Sequence, residues 1–157
     1  MRYYLNIGSN LGDRRCRLLQ AITALSAGNG GCAVSRFVES EPWGFESDNT
    51  FLNVAVMLDT DLQPLDMLDR CQAIERSLGS DSHRDKNGNY VDRVVDIDIM
   101  AIDDPLGNPI NISTPRLTVP HPHLYDRPFF LAPYRQLKEG RWPEEDNPKT
   151  STHQATE

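Results

Sequence analysis

Apolar positions along the chain switch between two periods, and the switches mark out a core. Residues 2 to 7 alternate, with Tyr3, Leu5 and Ile7 on one face, and the run stops at Gly8. Leu18, Ala21, Ile22 and Leu25 then recur at helical spacing up to Gly28, with Asn10 or Asp13 available as the cap. A second strand is predicted over 32–39. The run FLNVAVML at 51–58 is a third, with Phe51, Asn53, Ala55 and Met57 on one face and Leu52, Val54, Val56 and Leu58 on the other. Pro64 opens a second helix whose apolar stripe is Leu65, Leu68, Cys71, Ile74 and Leu78, ending before Gly79. Thirteen polar or small residues follow, SDSHRDKNGNYVD, a length that in a compact domain often marks a functional loop. A fourth strand covers 94–102.

The order βαββαβ predicts an α+β fold of ferredoxin-like type, an antiparallel sheet with both helices on one face. After Pro105 the pattern breaks into a loop-rich C-terminal extension with only short elements. One domain is expected over residues 1–138. Residues 139–157 carry five acids against Arg141 and Lys149 and read as a loose tail.

The fourth strand contains the anomaly. In RVVDIDIM, residues 93–100, Asp96 and Asp98 interrupt an apolar run that suggests a central strand, and alternation puts both carboxylates on one face. Burying a carboxylate is costly unless it is paired or holds a metal. Two carboxylates on one face suit a hard cation such as Mg²⁺, which is held by one or two carboxylates together with phosphate oxygens. His83, Arg84, Lys86, Arg93, Arg116, His121, His123 and Arg127 lie on either side in sequence. They are either solvated surface charges or an anion site beside the aspartates. Asn53 is the second anomaly, an amide inside an apolar strand that calls for specific partners, such as the edge of a planar heterocycle. Trp43, Phe51, Tyr90 and Phe129 are candidate stacking partners for such a ring, or plain core.

Composition narrows the class. The 157 residues are 38% hydrophobic and 25% charged, the profile of a globular domain. A net charge of −7 argues against nucleic acid as a partner, and the apolar runs are too short to span a membrane. Cys16, Cys32 and Cys71 form an odd set without metal-ligand spacing, and MRYYLNIGSN lacks a secretory-signal profile. A cytoplasmic protein is expected. GSNLGDR matches neither phosphate-loop fingerprint, so Gly8 and Gly12 read as strand exit and helix entry and Ser9 as structural.

Taken in order, IGSNLGDR, EPWGF, FLNVAV, QAIERSLG, DRVVDIDIM and RLTVPHPHLYDRPFFLAP resemble the 6-hydroxymethyl-7,8-dihydropterin pyrophosphokinase family over about residues 3–137. That family moves pyrophosphate from ATP to the pterin hydroxymethyl group in folate biosynthesis and releases AMP. The resemblance implies that Asp96 and Asp98 hold two Mg²⁺ ions. It places Arg93, His121 and Arg127 on the ATP phosphates and Gln72, Glu75, Ile99, Arg116 and Thr118 around the nucleotide. Tyr90 and Phe129 would cover the pterin ring and Asn53 would bond its edge, with Ser40, Trp43 and Phe51 lining the pocket. Loops 40–50 and 80–92 would close over the substrates. Where the family commonly has arginine after the glycine ending the second helix, this chain has Ser80, which makes Arg84, then Lys86, the candidate replacement cation. Phe51 stands where tyrosine is frequent. Two other readings stay open on the sequence: a D-x-D transferase using a nucleotide sugar, and a protein that binds pterin or nucleotide without transfer.

Overall fold

The computed structural model describes residues 1–29, 31–42, 48–79 and 94–142. Strand β1 (Arg2–Ser9) leads into α1 (Arg14–Ser26), β2 (Gly31–Val34), β3 (Val38–Ser40), β4 (Phe51–Asp59), α2 (Pro64–Ser77) and β5 (Asp96–Asp103). Two short strands, β6 (Ile112–Ser113) and β7 (Thr118–Val119), precede α3 (Pro128–Glu139). The main sheet runs β2-β4-β1-β5, with β3 also paired to β4, and every pairing is antiparallel. The fold is therefore α+β, and this arrangement is compatible with a ferredoxin-like one.

Local chemistry explains the element ends. The Asp13 side chain accepts the N–H of Cys16 at 3.1 Å and caps α1, while Pro64 occupies the first turn of α2, where no N–H is needed. The strand expected over 32–39 is two strands. Ser35 breaks it: its N–H donates to the Ala55 carbonyl at 2.9 Å, but the Ala55 N–H is taken by Ser35 Oγ at 2.8 Å. In α2 the buried stripe is Met67, Cys71 and Ile74, and Leu65 is exposed, because the sheet-facing side of the helix begins two residues later than expected.

Helices α1 and α2 pack on one sheet face over Leu5, Ile7, Leu52, Val54, Val56, Ile97 and Ile99. The other face is also covered, contrary to the expectation of only short elements after Pro105. Tyr4, Ala55, Met100 and Ala101 pack under Leu124, Phe130, Tyr134 and Leu137, most of them from the twelve-residue α3. Phe130, Tyr134 and Leu137 follow helical spacing, but the prolines at 128 and 133 make PFFLAPYRQL read as loop. The chain stays packed beyond residue 139: Trp142 is buried, with the Arg36 guanidinium 5.2 Å from its ring centre. The rest of the expected tail, 143–157, lies outside the described residues.

The aspartate strand is not central. Among the described residues β5 ends the main sheet and pairs only with β1. Its apolar character arises because both faces are covered and because following chain closes its free edge. The N–H groups of His121 and Ile110 bond the carbonyls of Met100 and Ile102, each at 2.9 Å. A register shift at Tyr4/Leu5 puts both Met100 and Ala101 under α3.

Candidate active site

Register brings the two anomalous stretches together. Gly8 pairs with Asn53 on one side and with Asp96 on the other, so these three form one row across β4, β1 and β5. The next row is Ala55, Asn6 and Asp98. Since Tyr4 and Ala55 face α3, alternation places Asn6, Gly8, Asn53, Phe51, Asp96 and Asp98 on that same face. With strands about 4.8 Å apart, Asn53 and Asp96 stand roughly 10 Å from each other.

At the β4 end, the Asn53 amide donates to Ser40 Oγ at 2.8 Å and to the Val38 carbonyl at 3.2 Å. A Cβ on Gly8 would lie 3.0 Å from Asn53 Oδ1 and 3.4 Å from the Phe51 ring. Glycine is therefore what lets the carboxamide and the ring close over β1, a contact that strand exit alone does not require. Ser40, Phe51 and Asn53 are thus brought together as expected.

At the β5 end, Asp96 is 8% exposed and the Asp98 side chain 29% exposed. His121 faces them, with Nε2 3.9 Å from Asp98 Oδ1. Its Nδ1 accepts the backbone N–H of His123 at 3.0 Å, which leaves the ring proton on Nε2, directed at the carboxylates. Burial, then the charges of Arg127 and His123, push the imidazole down to about 4 against the pull of Asp96. His121 is therefore a neutral hydrogen-bond donor near pH 7, and its approach to Asp98 is not an ion pair there. Arg127, the N-cap of α3, holds its guanidinium 4.9 Å from the Phe130 ring centre. Phe129 beside it is half-buried and meets Phe130 edge-on at 5.2 Å.

The remaining candidates divide by position. Arg116 donates to Asp69 at 2.6 Å and reaches Gln72 Oε1 at 3.5 Å, an exposed group on α2 and the chain before β7. Thr118 is exposed on β7. The Ile99 side chain is in the core on the α2 side. Glu75 is buried, with Oε2 accepting the Ile97 N–H at 2.8 Å, so this carboxylate fixes the aspartate strand. Trp43, Arg84, Tyr90 and Arg93, together with Ser80, His83 and Lys86, lie outside the described residues. Sequence reasoning passed over Asn6, which is buried and donates to the Phe129 carbonyl at 3.0 Å. The signal was there, since Asn6 interrupts an apolar strand just as Asn53 does.

The donor set fits a hard divalent cation. Two carboxylates share a face beside a neutral imidazole, and among the described residues no group of three or more His, Cys, Asp or Glu could hold a metal by itself. Such a site needs oxygens from a ligand, which is how Mg²⁺ accompanies phosphates. A groove of about 1110 Å³ lies at the other end of the sheet, lined by Met1, Asp59, Asp61, Asp104 and Leu106, and shares no residue with this set.

Residues 4–139 match the family described as 7,8-dihydro-6-hydroxymethylpterin-pyrophosphokinase. A 2-amino-4-hydroxy-6-hydroxymethyldihydropteridine pyrophosphokinase of Porphyromonas gingivalis is 41% identical over 148 residues, 92% of this chain and 96% of that protein. Proteins of the same name from Bacillus subtilis and Methylorubrum extorquens are 39% and 36% identical, covering 85% and 87% of this chain and 76% and 82% of theirs.

Proposed function

Because the chain belongs to the 7,8-dihydro-6-hydroxymethylpterin-pyrophosphokinase family, we propose that the α3-facing surface of its sheet is where that family's reaction takes place. The protein is a pyrophosphokinase of folate biosynthesis. It transfers pyrophosphate from ATP to the hydroxymethyl group of 6-hydroxymethyl-7,8-dihydropterin and releases AMP. The observation that carries the assignment of the site is the row Asn53–Gly8–Asp96, which sets a heterocycle-binding amide and a metal-binding carboxylate on one surface.

The pterin edge bonds Asn53, with Ser40 holding the carboxamide in place and Phe51 and Phe129 flanking the ring. Asp96 and Asp98 would hold two Mg²⁺ ions with ATP, and a metal bound there would neutralise phosphate charge. The chain's own contribution is alignment. Attack by a neutral hydroxymethyl oxygen needs positioning and charge neutralisation more than covalent help. His121 donates Nε2–H to a phosphate oxygen without adding charge, and Arg127 supplies a cation from the entry of α3. Arg93 and Arg84 act on the phosphates from the long loop. Gln72, Arg116, Thr118 and the backbone of Ile99 border the nucleotide on the α2 side of β5. Strand order and register support a ferredoxin-like βαββαβ core, with α3 as an addition. We take the enzyme to act as a cytoplasmic monomer, in keeping with free cysteines at 16, 32 and 71.

The test is AMP release from ATP and Mg²⁺ with and without the hydroxymethyl dihydropterin. AMP that requires the pterin supports the reading. ATP turnover indifferent to the pterin contradicts it.

A further inference from the structure

Helix α3 carries a proline at position 133, inside the helix. A helical carbonyl at position 129 would receive its hydrogen bond from the N–H of residue 133, and proline has none. The Phe129 carbonyl is met from outside the helix. Asn6, 2% exposed in the middle of β1, donates its amide to that oxygen at 3.0 Å. Asn6 also pairs with Asp98 on β5 and with Ala55 on β4, at the centre of the site's floor. A buried amide in an otherwise apolar strand is costly unless it has such a partner.

We propose that Asn6 is a positioning residue for Phe129: it gives the Phe129 carbonyl the hydrogen bond that Pro133 cannot, and so fixes the ring of Phe129 over the strand that faces Asp98. The proposal rests on the reading that Phe129 covers the pterin. Asn6 touches no substrate. Its effect passes through the first turn of α3, where Phe130 is anchored in the core and the ring of Phe129 beside it is half-buried. Asn6 should therefore govern pterin affinity and leave nucleotide affinity alone.

The experiment is a calorimetric cycle on the full chain with Asn6→Ala, Phe129→Ala and the double variant. Each is titrated with hydroxymethyl dihydropterin in the presence of a non-cleavable ATP analogue and Mg²⁺, and separately with the analogue and Mg²⁺ alone. Asn6→Leu, which keeps the branched side-chain skeleton and removes the donor, serves as the second variant. The expected result is at least a fivefold loss of pterin affinity in both Asn6 variants, with analogue affinity within twofold. In the Phe129→Ala background the Asn6→Ala loss should fall below twofold, because no ring is left to position. If Phe129→Ala itself leaves pterin affinity unchanged, the stacking reading fails and takes the proposal with it. If Phe129→Ala weakens pterin binding and the Asn6 variants do not, the stacking reading survives and the proposal is overturned. Equal losses for both ligands, the same loss in both backgrounds, or failure of both Asn6 variants to fold would each show a merely structural role and overturn it.

Discussion

Glu75, buried on α2, accepts the backbone N–H of Ile97 at 2.8 Å, and Ile97 is the residue between Asp96 and Asp98. One helix thus holds the aspartate strand at the point where its two carboxylates turn to the opposite face. Removing the acceptor strands a buried N–H, at a cost of about 1–3 kcal/mol. Glu75→Ala should lower the unfolding midpoint by roughly 2–4 °C for each kcal/mol lost. Glu75→Gln keeps an acceptor and should recover most of the loss. Calorimetric scans of the two variants decide it, and equal midpoints for Ala and Gln would show that the bond to Ile97 contributes nothing.

Gly8 and Asn53 make a paired prediction. Asn53→Ala should weaken pterin binding by about 1–3 kcal/mol, the range for a buried hydrogen-bonding group, and spare ATP binding. Gly8→Ala puts a methyl 3.0 Å from Asn53 Oδ1 and should displace the carboxamide, weakening pterin binding with Asn53 still present. Titration with each ligand checks both. Pterin affinity unchanged in Gly8→Ala would mean that the close approach is incidental.

Cysteine reactivity tests the packing of α2. Cys71 is 0% exposed, and burial, with the charges of Glu75 and Asp98, pushes its thiol far up. Cys16 and Cys32 are exposed. A thiol reagent at pH 8 should label Cys16 and Cys32 in the native protein and reach Cys71 only on unfolding. Mass spectrometry of the labelled peptides reads this directly, and native labelling of Cys71 would contradict the buried position.

The long loop carries a kinetic prediction. Arg84→Ala should lower the catalytic rate at least tenfold with little change in pterin affinity or thermal stability, the pattern of a contact made mainly in the transition state. Unchanged turnover would remove Arg84 as the substitute for the arginine absent at Ser80.

Much of this arrangement was legible in the sequence, for reasons visible in single residues. Alternation put Asp96 with Asp98 and Phe51 with Asn53, because strand period fixes which side chains share a face. Pairing partners are not periodic, so nothing in the sequence said that Gly8 would join Asn53 to Asp96. An apolar run likewise does not separate a central strand from an edge strand covered by chain. This is why β5, closed by Ile110 and His121, looked central. Helix α3 was hidden by Pro133, whose cost to the helix is offset by a residue 127 positions away in the chain. Asn6 was passed over although Asn53, an equally out-of-place amide, was singled out.

The most direct test of the account is AMP formation by Asp96→Asn and Asp98→Asn in saturating pterin, ATP and Mg²⁺. Each change keeps shape and removes a charged oxygen ligand from a partly buried site, a loss of several kcal/mol or on the order of a thousandfold in rate. Both variants should keep the wild-type unfolding midpoint within a few degrees and release AMP at roughly a thousandth of the wild-type rate. Near-normal AMP release from either folded variant would contradict the claim that this carboxylate pair is the metal-holding centre of the enzyme.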